Sequence, residues 1–426
     1  MAEMKDSGIE WIGMIPKNWN ADKIKYHLKR NEPKNPGNVE VLSVYREYGV
    51  IPKNSRDDNH NITSEDTSKY KYVKKGDLVI NKMKAWQGSM GVSEYEGIVS
   101  PAYFIYNFTD NYLDKKYFHF LIRNCYKDEF RRISGGIREG QWDLSADLFA
   151  DELVLVPPIK EQIKIVEFLN TKCAEIDTLY SDIEKQIDIL EEYKKSIITE
   201  AVTKGLDPDV EMKDSGIEWI GMIPKNWNIS RLKYELETSM KYGASEAGVE
   251  YSDDLPRYIR ITDITNNNRL KTGGKLSLTE KQANGYMLEK DTVLFARSGG
   301  TVGKTFLYKP EYGKAAFAGY LISAIPDKEK MQAEWLYYFS LSNAYWDWVN
   351  QIFTQATIQN IGADKYSNLP IPIPSINIQN AIVNYLNKKC AEIDYIITDK
   401  KKQLETLEQY KKSLIYEYVT GKKEVK

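Results

Sequence analysis

The chain has 426 residues, of which 42% are apolar and 28% are charged, a composition that excludes a disordered or fibrous protein. This length predicts two to four domains. The formal net charge of -2 excludes attraction of nucleic acid by a bulk positive field, so any such contact has to come from local placement of charge.

Cysteines and hydropathy restrict the compartment. The three cysteines have no zinc-type spacing, and Cys173 and Cys390 fall inside helical patterns, which is typical of small buried hydrophobic residues in a reducing cytosol. No apolar run is long enough to span a membrane, and the first residues carry no apolar signal region. We therefore expect a cytoplasmic protein without a metal site and without a membrane partner.

A domain-sized repeat organises the chain. The start motif MKDSGIEWIGMIPKNWN occupies 4–20 and returns unchanged at 212–228. CAEID at 173–177 returns at 390–394, and EYKKS at 192–196 returns as QYKKS at 409–413. A period this long predicts duplication of a whole module rather than a solenoid. Because both copies of the start motif are identical, we expect a structural role for it.

The first body reads as a mixture of strands and a helix. Residues rich in β-branched and aromatic side chains predict strands at 39–45, 77–80 and 98–106, with Pro101 weakening the start of the last one. Apolar residues with a period of 3.6 predict a helix over 114–130. Polar, glycine-bearing loops lie between these elements, at 81–88 and 134–142.

A long helix is predicted to follow the first body, from about Lys160 to the stop at Gly205. Its seam is a set of apolar residues seven apart, with a second set interleaved: Ile176, Ile183, Leu190 and Ile197, then Leu179, Ile187, Tyr193 and Ala201. This helix is roughly 60 Å long and requires a partner face, because propensity alone does not stabilise it.

The second copy supplies that partner. Strands are predicted at 257–261 and 292–296, and a helix at 333–351. A closing helix over about 377–419 carries a matching seam, listed with its interleaved set: Ile393, Lys400, Leu407 and Leu414, then Ile396, Leu404, Tyr410 and Tyr418. Lys400 stands where the first copy has Ile183, and a lone lysine at such a position tends to fix register.

These patterns predict an α/β (α+β) fold in which two similar globular domains are separated by two long antiparallel helices, forming a coiled coil with pseudo-two-fold internal repetition. The predicted boundaries are 1–158 for the first domain, 159–205 for the central helix, 206–374 for the second domain and 375–426 for the distal helix. An antiparallel return also predicts that the C-terminus lies beside the N-terminus.

Several long segments resemble the DNA-specificity subunit of type I restriction-modification enzymes. They are the start motif, GDLVINKMKAWQGSMGVSEYEGIVSPAYFIY at 76–106, EQIKIVEFLNTKCAEIDTLYSDIEKQIDILEEYKKSIITEAVTKG at 161–205, RYIRITDI at 257–264 and DTVLFARSGGTVGKTFLY at 291–308. The resemblance covers nearly the whole chain. One departure is SINIQ at 375–379, where the first copy has IKEQ at 159–162.

The resemblance implies a non-catalytic subunit. Each globular domain is then a target-recognition domain that reads one half of a bipartite, asymmetric site in double-stranded DNA. The helices set the gap and dock two methyltransferase (modification) subunits, and restriction/translocase subunits join the complex. S-adenosylmethionine, ATP and Mg are expected on those partners, with no cofactor and no catalytic residue in this chain.

Recognition residues are expected in the polar loops, because Arg and Lys read guanine in the major groove, Asn and Gln read adenine, and phosphate contacts position the domain. The candidates in the first body are Lys82, Lys84, Trp86, Gln87, Arg131, Arg132, Arg138 and Gln141. The candidates in the second body are Arg297, Ser298, Thr301, Lys304, Gln355, Thr357 and Gln359. Taken singly, each charged residue is equally well explained as a solvated surface group, and Trp86 as a packing residue.

Two other functional classes remain open from the residues. The chain can be interpreted as a structural coiled-coil adaptor with two protein-binding heads, which the balanced charge favours slightly. It can also be interpreted as an ATP-using enzyme, because SGGTVGKT at 298–305 resembles a phosphate-binding loop. That loop lacks the required first glycine, and FLY at 306–308 reads as a strand where a helix should begin.

Overall fold

The structure is a computed structural model that describes residues 3–37, 39–46, 48–56, 63, 66–136, 142–265, 268–354 and 360–425. The chain falls into two compact units. Unit 1 comprises Met1–Ile183 and Lys402–Lys426, and unit 2 comprises Glu184–Lys401. The boundary passes through both long helices, so the four predicted segments remain a division of the sequence rather than of the packing.

The first half of the chain contains short strands, four short helices and one long helix among its described residues. The strands are β1 (Met4–Asp6), β2 (Met14–Pro16), β3 (Asn20–Lys23), β4 (Leu28–Arg30), β5 (Leu42–Tyr45), β6 (Gly49–Pro52), β7 (Lys71–Val73), β8 (Leu78–Asn81), β9 (Met90–Val92), β10 (Gly97–Val99), β11 (Tyr103–Phe108), β12 (Ser134–Gly135), β13 (Asp143–Leu144) and β14 (Leu153–Val156). The helices are α1 (Ile24–His27), α2 (Lys115–Cys125), α3 (Lys127–Arg132), α4 (Ala146–Asp151) and α5 (Ile159–Lys204).

The second half has related elements at its start and end and a different set between them. Its strands are β15 (Met212–Asp214), β16 (Met222–Pro224), β17 (Asn228–Arg231), β18 (Lys241–Tyr242), β19 (Val249–Glu250), β20 (Arg257–Ile259), β21 (Leu276–Ser277), β22 (Val293–Ala296), β23 (Thr305–Leu307), β24 (Ala315–Phe317), β25 (Leu321–Ala324) and β26 (Pro370–Ile373). Its helices are α6 (Glu280–Ala283), α7 (Ala333–Leu341), α8 (Asn343–Thr354), α9 (Ala363–Ser367) and α10 (Ile376–Val419).

The two units share the topology of one four-stranded sheet, and unit 2 has a further sheet in the order β19-β21-β20-β24. Unit 1 has a four-stranded antiparallel sheet in the order β4-β11-β8-β9, and unit 2 has the order β18-β25-β22-β23. In each unit the strand after the start motif pairs antiparallel with the strand before the long helix, β3 with β14 and β17 with β26. The mixed α/β class and the internal repeat predicted from the sequence are confirmed.

Several predicted elements are interrupted in the structure. The single strand predicted over 98–106 is two strands, β10 and β11, because the chain turns at Pro101, which cannot donate a ladder hydrogen bond. The helix predicted over 114–130 is α2 and α3, which are separated at Tyr126. The helix predicted over 333–351 is likewise divided at Ser342, whose hydroxyl donates to the Phe339 carbonyl.

The start motif packs into the core of its own unit. It forms a small hairpin, β1–β2, and its Ile15 and Trp19 are buried in unit 1. The second copy forms β15–β16 and buries Ile223 and Trp227 in unit 2. The structural role predicted for the repeated motif is therefore confirmed.

Both long helices match the predicted limits to within about one residue. In unit 1 the ring of Phe168 on α5 lies 4.4 Å from the ring of Tyr418 on α10, and Asp177 lies 2.5 Å from Lys411. In unit 2 the Lys194 ammonium on α5 lies 2.7 Å from Asp394 on α10. Residue numbers rise along one helix as they fall along the other, so the helical segments within each unit run antiparallel, as predicted.

Burial along the two long helices follows the predicted seam at some positions and departs from it at others. Of the residues spaced seven apart, four are buried, Ile176, Ile183, Ile393 and Leu414. The other four are partly buried, Leu190, Ile197, Lys400 and Leu407. Among the interleaved residues, Ile187 and Ala201 are buried and Leu404 and Tyr418 are partly buried, whereas Leu179, Tyr193, Ile396 and Tyr410 are exposed. The predictions for these last four were wrong, because they lie three residues after members of the first set, whereas the second row of the seam lies four residues after them, as at Ile187 and Ala201. Their places are taken by Tyr180, Lys194, Ile397 and Lys411, whereas Cys173 and Cys390 extend the same seam.

The repeated segments CAEID and YKKS form ion pairs with each other between the two long helices. Asp177 belongs to the first CAEID and pairs with Lys411 of the second YKKS in unit 1. Asp394 belongs to the second CAEID and pairs with Lys194 of the first YKKS in unit 2. Each segment is repeated because each is one half of a pair that occurs twice.

A fully buried glutamine anchors the start of each long helix. In unit 1 the Gln162 amide donates to the carbonyls of Pro157 and Tyr112, and its oxygen accepts from the Asp114 amide, each at 2.7 Å. In unit 2 Gln379 makes the same three bonds, to Pro374, Lys330 and Gln332, each at 2.9 Å. The departure at 375–379 therefore leaves this anchor unchanged.

The end of α10 lies on the first start motif. The Lys422 ammonium donates to the carbonyls of Ile12 at 2.7 Å and Met14 at 2.5 Å, and the buried Tyr117 hydroxyl donates to the Val419 carbonyl at 2.8 Å. The prediction that the C-terminus lies beside the N-terminus is confirmed within unit 1. Among the described residues, no helix is both long enough and apolar enough to cross a membrane.

Candidate functional site

Each unit presents a polar loop at the same place in its sheet. In unit 1 residues 82–89 connect β8 to β9, and in unit 2 residues 297–304 connect β22 to β23. Both loops contain a turn of 3₁₀ helix and end at a glycine with positive φ, Gly88 at 91° and Gly303 at 84°. At Gly303 a Cβ would also lie 3.1 Å from the Trp346 ring, so this position requires glycine twice over. We name these segments the recognition loops.

In both units the chain contacts the recognition loop just after a second predicted loop. The Leu144 amide donates to the Lys82 carbonyl at 2.9 Å in unit 1, and the Ile361 amide donates to the Arg297 carbonyl at 2.8 Å in unit 2. A residue that follows the second predicted loop therefore lies against the first residue of the recognition loop in each unit. Arg138, Gln141, Gln355, Thr357 and Gln359 belong to these second loops and lie outside the described residues.

In unit 1 the recognition loop combines a cation, an acid and two indole rings. The Lys82 ammonium lies 2.8 Å from Asp143, and Lys84 is exposed. The Trp86 and Trp142 rings are 5.7 Å apart, and the Arg131 guanidinium lies 5.9 Å from the centre of the Trp142 ring. Both indoles are partly exposed, so Trp86 is not a core residue, and its ring is held beside that of Trp142.

An arginine from an earlier loop reaches the same surface. The Arg46 guanidinium donates to the Gln87 side-chain oxygen at 2.9 Å. Behind it, the partly exposed Arg123 donates to the carbonyls of Arg46 at 2.9 Å and Met90 at 2.7 Å, and burial lowers the pKa of Arg123. Sequence reasoning missed Arg46 and Trp142. The run YREY at 45–48, directly after a strand, is the signal that could have found Arg46.

Arg132 is engaged within its own unit. It pairs with Glu129 and lies 2.9 Å from Glu152. Burial, and then repulsion from Glu129, raise the pKa of Glu152 to about 7, while Arg132 opposes that rise. Arg132 therefore balances two carboxylates at the edge of α3.

In unit 2 the recognition loop begins at an arginine that lies over a tyrosine ring. The Arg297 guanidinium lies 4.8 Å from the centre of the Tyr242 ring, and its Nε donates to the Asn360 side-chain oxygen at 3.4 Å. Thr301 donates to the Ser298 carbonyl at 3.4 Å, and Lys304 is partly buried at the end of the loop. Tyr242 and Asn360 were missed, although Asn360 lies at the repeat offset of 217 from Asp143.

The resemblance of 298–305 to a phosphate-binding loop does not extend to its geometry. Residues Thr305–Leu307 form β23, which pairs antiparallel with β22. The loop is therefore not followed by a helix whose N-terminus could stabilise a phosphate, as a phosphate-binding loop requires.

Comparison with known proteins gives one consistent result. Residues 224–406 match the family model for the type I restriction modification DNA specificity domain. A putative type I restriction enzyme specificity subunit, MjaX of Methanocaldococcus jannaschii, is 23% identical over 97% of this chain and 96% of its own length. The MjaVIII specificity subunit of the same organism is 24% identical over 97% of this chain and 94% of its own length.

The chain carries a type I restriction modification DNA specificity domain at 224–406 and is similar over nearly its whole length to type I specificity subunits.

Two solved structures share the fold of this chain. One, described as revealing complex assembly and conformational transition of the type I R-M system, covers 95% of this chain and 98% of its own with a TM-score of 0.70 and 13% identity. The HsdS subunit from Thermoanaerobacter tengcongensis covers 96% and 98% with a TM-score of 0.50 and 13% identity.

Proposed function

We propose that each unit of this specificity subunit reads one half of a bipartite, asymmetric DNA site through its recognition loop. The observation that carries the proposal is that one scaffold presents two chemically different loops from the same pair of strands. Modules that share a fold but differ at one exposed loop are suited to different half-sites. The side chains proposed to contact DNA in unit 1 are Lys82, Lys84, Trp86, Gln87, Arg131, Arg132, Arg138 and Gln141. In unit 2 they are Arg297, Ser298, Thr301, Lys304, Gln355, Thr357 and Gln359.

We infer a division of labour among these side chains. Exposed Lys84 suits a phosphate, because a flexible ammonium acts as a point charge without base preference. Gln87 and Arg297 suit base edges, because planar amide and guanidinium groups form paired hydrogen bonds. Arg132 suits the phosphate backbone at most, since its charge already balances Glu129 and Glu152.

The long helices are proposed to set the gap between half-sites and to dock two modification subunits, with restriction/translocase subunits completing the complex. Exposed apolar residues on the helices, Leu179, Ile189 and Tyr193 on α5 and Tyr395 and Ile396 on α10, support a docking role. S-adenosylmethionine, ATP and Mg are proposed to bind those partners, and this chain to carry out no chemistry itself.

The proposal is tested by co-expressing the subunit with its modification subunit and mapping methylated sites in the host genome. Wild type should give a split motif. Replacing residues 21–156 with the matching segment of another specificity subunit should change one half only. The same replacement at 229–370 is the matched control and should change the other half. A single change that alters both halves, or neither, would contradict the modular assignment.

A second experiment tests the helices. Insertion of one heptad into both α5 and α10 preserves the seam and lengthens each helix by about 10 Å, roughly three base-pair steps. The mapped motif should keep both half-sites and widen its gap. An unchanged gap in a folded, active complex would show that the helices do not measure distance.

A further inference from the structure

The first residue of the recognition loop differs between the units in one decisive respect. Lys82 has a carboxylate at 2.8 Å, Asp143. At the equivalent place in unit 2 the partner of Arg297 is the neutral Asn360. Among the described residues, no carboxylate forms an ion pair with Arg297, so its positive charge is not neutralised within the unit.

Two neighbours contact the Arg297 guanidinium. Its central carbon lies 4.8 Å from the centre of the Tyr242 ring, and Asn360 accepts from Nε at 3.4 Å. The Tyr242 hydroxyl accepts from the Ala363 amide at 3.0 Å, which ties the ring to the start of α9. Within the part of the chain that the structure describes, these contacts engage Nε and leave the two terminal nitrogens as a fork of donors.

The backbone beneath this side chain is also fixed. The Arg297 amide donates to the Tyr320 carbonyl at 3.0 Å, and its carbonyl accepts from Ile361. Behind the loop, the buried hydroxyls of Tyr366 and Tyr345 donate to the carbonyls of Ala296 and Gly303, at 2.8 and 2.7 Å. Arg297 is therefore presented with little conformational entropy left to lose on binding.

We propose that Arg297 reads a guanine in the half-site of unit 2, with Tyr242 and Asn360 as positioning residues. This inference rests on the proposed function and names the base chemistry of that site. Guanine offers two adjacent acceptors in the major groove, N7 and O6, which match the guanidinium fork. Adenine places a donor beside N7 and is rejected. A bidentate contact of this kind discriminates by about 5- to 150-fold.

The first test uses the complex with its modification subunit. In the mapped methylation motif, Arg297→Ala removes the fork, and should make one guanine of one half-site degenerate while all other positions stay fixed. Arg297→Lys keeps an ammonium that can still donate to guanine, and should relax the same position less. Lys82→Ala is the matched control in unit 1 and should leave that guanine required.

A binding measurement isolates the N7 contact. Duplexes that carry 7-deazaguanine at this position lack the N7 acceptor, and wild-type affinity for them should fall by about 5-fold or more. The Arg297→Ala complex should bind deaza and normal duplexes within about 2-fold of each other.

The positioning role has its own variants. Tyr242→Ala should relax the guanine, whereas Tyr242→Phe keeps the ring and should retain selection. Asn360→Asp recreates the arrangement of Lys82 and Asp143, and should relax the guanine by engaging Arg297 in an ion pair. Equal melting temperatures across the set would exclude unfolding as the cause, and a change at one base position is not an effect of general destabilisation.

The proposal is overturned if Arg297→Lys and Arg297→Ala leave the motif unchanged. It is also overturned if both weaken methylation uniformly at every sequence, which would indicate a phosphate contact. A wild-type complex that methylates no split motif would instead overturn the proposed function itself.

Discussion

The two units are best understood by comparing what they keep with what they change. Both keep the start motif, the buried glutamine at the helix start and the pairing of CAEID with YKKS. They differ at the recognition loop, where Lys82 forms an ion pair with Asp143 in one unit and Arg297 lies over the Tyr242 ring in the other. Contacts that build the scaffold are repeated residue by residue, whereas contacts at the exposed loop are free to diverge.

A second difference between the units lies at the edge of the core, at Glu152 and Leu369. The Ile24 amide donates to the Glu152 carbonyl in unit 1, and the Leu232 amide donates to the Leu369 carbonyl in unit 2, so Glu152 and Leu369 are equivalent. Unit 1 places a half-buried acid where unit 2 places a fully buried leucine. We therefore expect the stability of unit 1, but not of unit 2, to depend on this acid.

The largest expected effect is on the shared start motif. Trp19→Ala and Trp227→Ala each remove a buried indole and should lower the free energy of unfolding by about 3–5 kcal/mol. Trp19 should cost about 1 kcal/mol more, because its Nε1 donates to Glu161 at 2.7 Å, whereas the repeat offset of 217 places Ile378 there in unit 2. Urea unfolding of single and double variants measures both. A negligible loss for either variant would break the equivalence of the two motifs.

The next largest effect concerns the buried glutamines. Gln162→Leu and Gln379→Leu should each lower the free energy of unfolding by roughly 3 kcal/mol, because two carbonyls and an amide lose their partners inside the protein. Chemical denaturation of the two variants side by side should give losses within about 1 kcal/mol of each other. A large difference would show that the anchors are alike in geometry but not in energy.

The stability of unit 1, but not of unit 2, should change with pH through Glu152. The pKa of Glu152 is raised to about 7, so its contribution to stability is present below its ordinary pKa and is lost as pH rises through 7. Glu152→Gln should therefore raise the free energy of unfolding above pH 7 by about 1 kcal/mol after solvent screening, with no gain near pH 4. Denaturation curves from pH 4 to 8 measure this, with exposed Asp147→Asn as the control for loss of one charge.

His119 gives the stability of unit 1 a pH dependence of the opposite sign. Burial, followed by the charge of Arg123, lowers the pKa of His119 to about 4, so its contribution is present above its ordinary pKa and is lost as pH falls toward 4. In Glu152→Gln this slope should remain uncompensated, and stability should fall more steeply on acidification than in wild type. Parallel curves for the two proteins would show that Glu152 does not titrate as inferred.

The smallest expected effect is at Lys400. Its ammonium donates to Gln186 at 2.5 Å, at a seam position that is Ile183 in the first copy. Lys400→Leu should raise the free energy of unfolding by about 1 kcal/mol through added apolar burial, and loosen the preference for one register. Thermal melting measures the first effect, and cysteine cross-linking across the helices measures the second. A drop in melting temperature would mean that the polar contact contributes more than the missing leucine.

The sequence was most informative where a pattern is long or repeated. The heptads and the Pro and Gly stops predicted α5 and α10 to within about one residue, and the unchanged motif predicted a scaffold role for residues such as Trp19. Leu179 and Tyr193 were misplaced because apolar character alone does not decide between neighbouring positions of a heptad.

The recognition surface was predicted only in part, because its contacts join distant parts of the chain. Arg297 was identified from its loop, but Tyr242 and Asn360 reach it from 55 residues before and 63 residues after in sequence, and neither carries a local pattern. Arg46 likewise reaches Gln87 across 41 residues. Such pairings depend on the sheet topology, which no short window of sequence contains.

The contact between Lys422 and the first start motif has a consequence for where the polypeptide can be opened. Gly421 packs on Pro16 and Trp19 as Gly205 packs on Pro224 and Trp227. Fusing Lys426 to Met1 would leave eight residues between Gly421 and Met4, against six between Gly205 and Met212. A circularly permuted gene that starts near Pro208 should therefore encode a protein with every scaffold contact intact, and with the order of its two half-site readers exchanged along the chain.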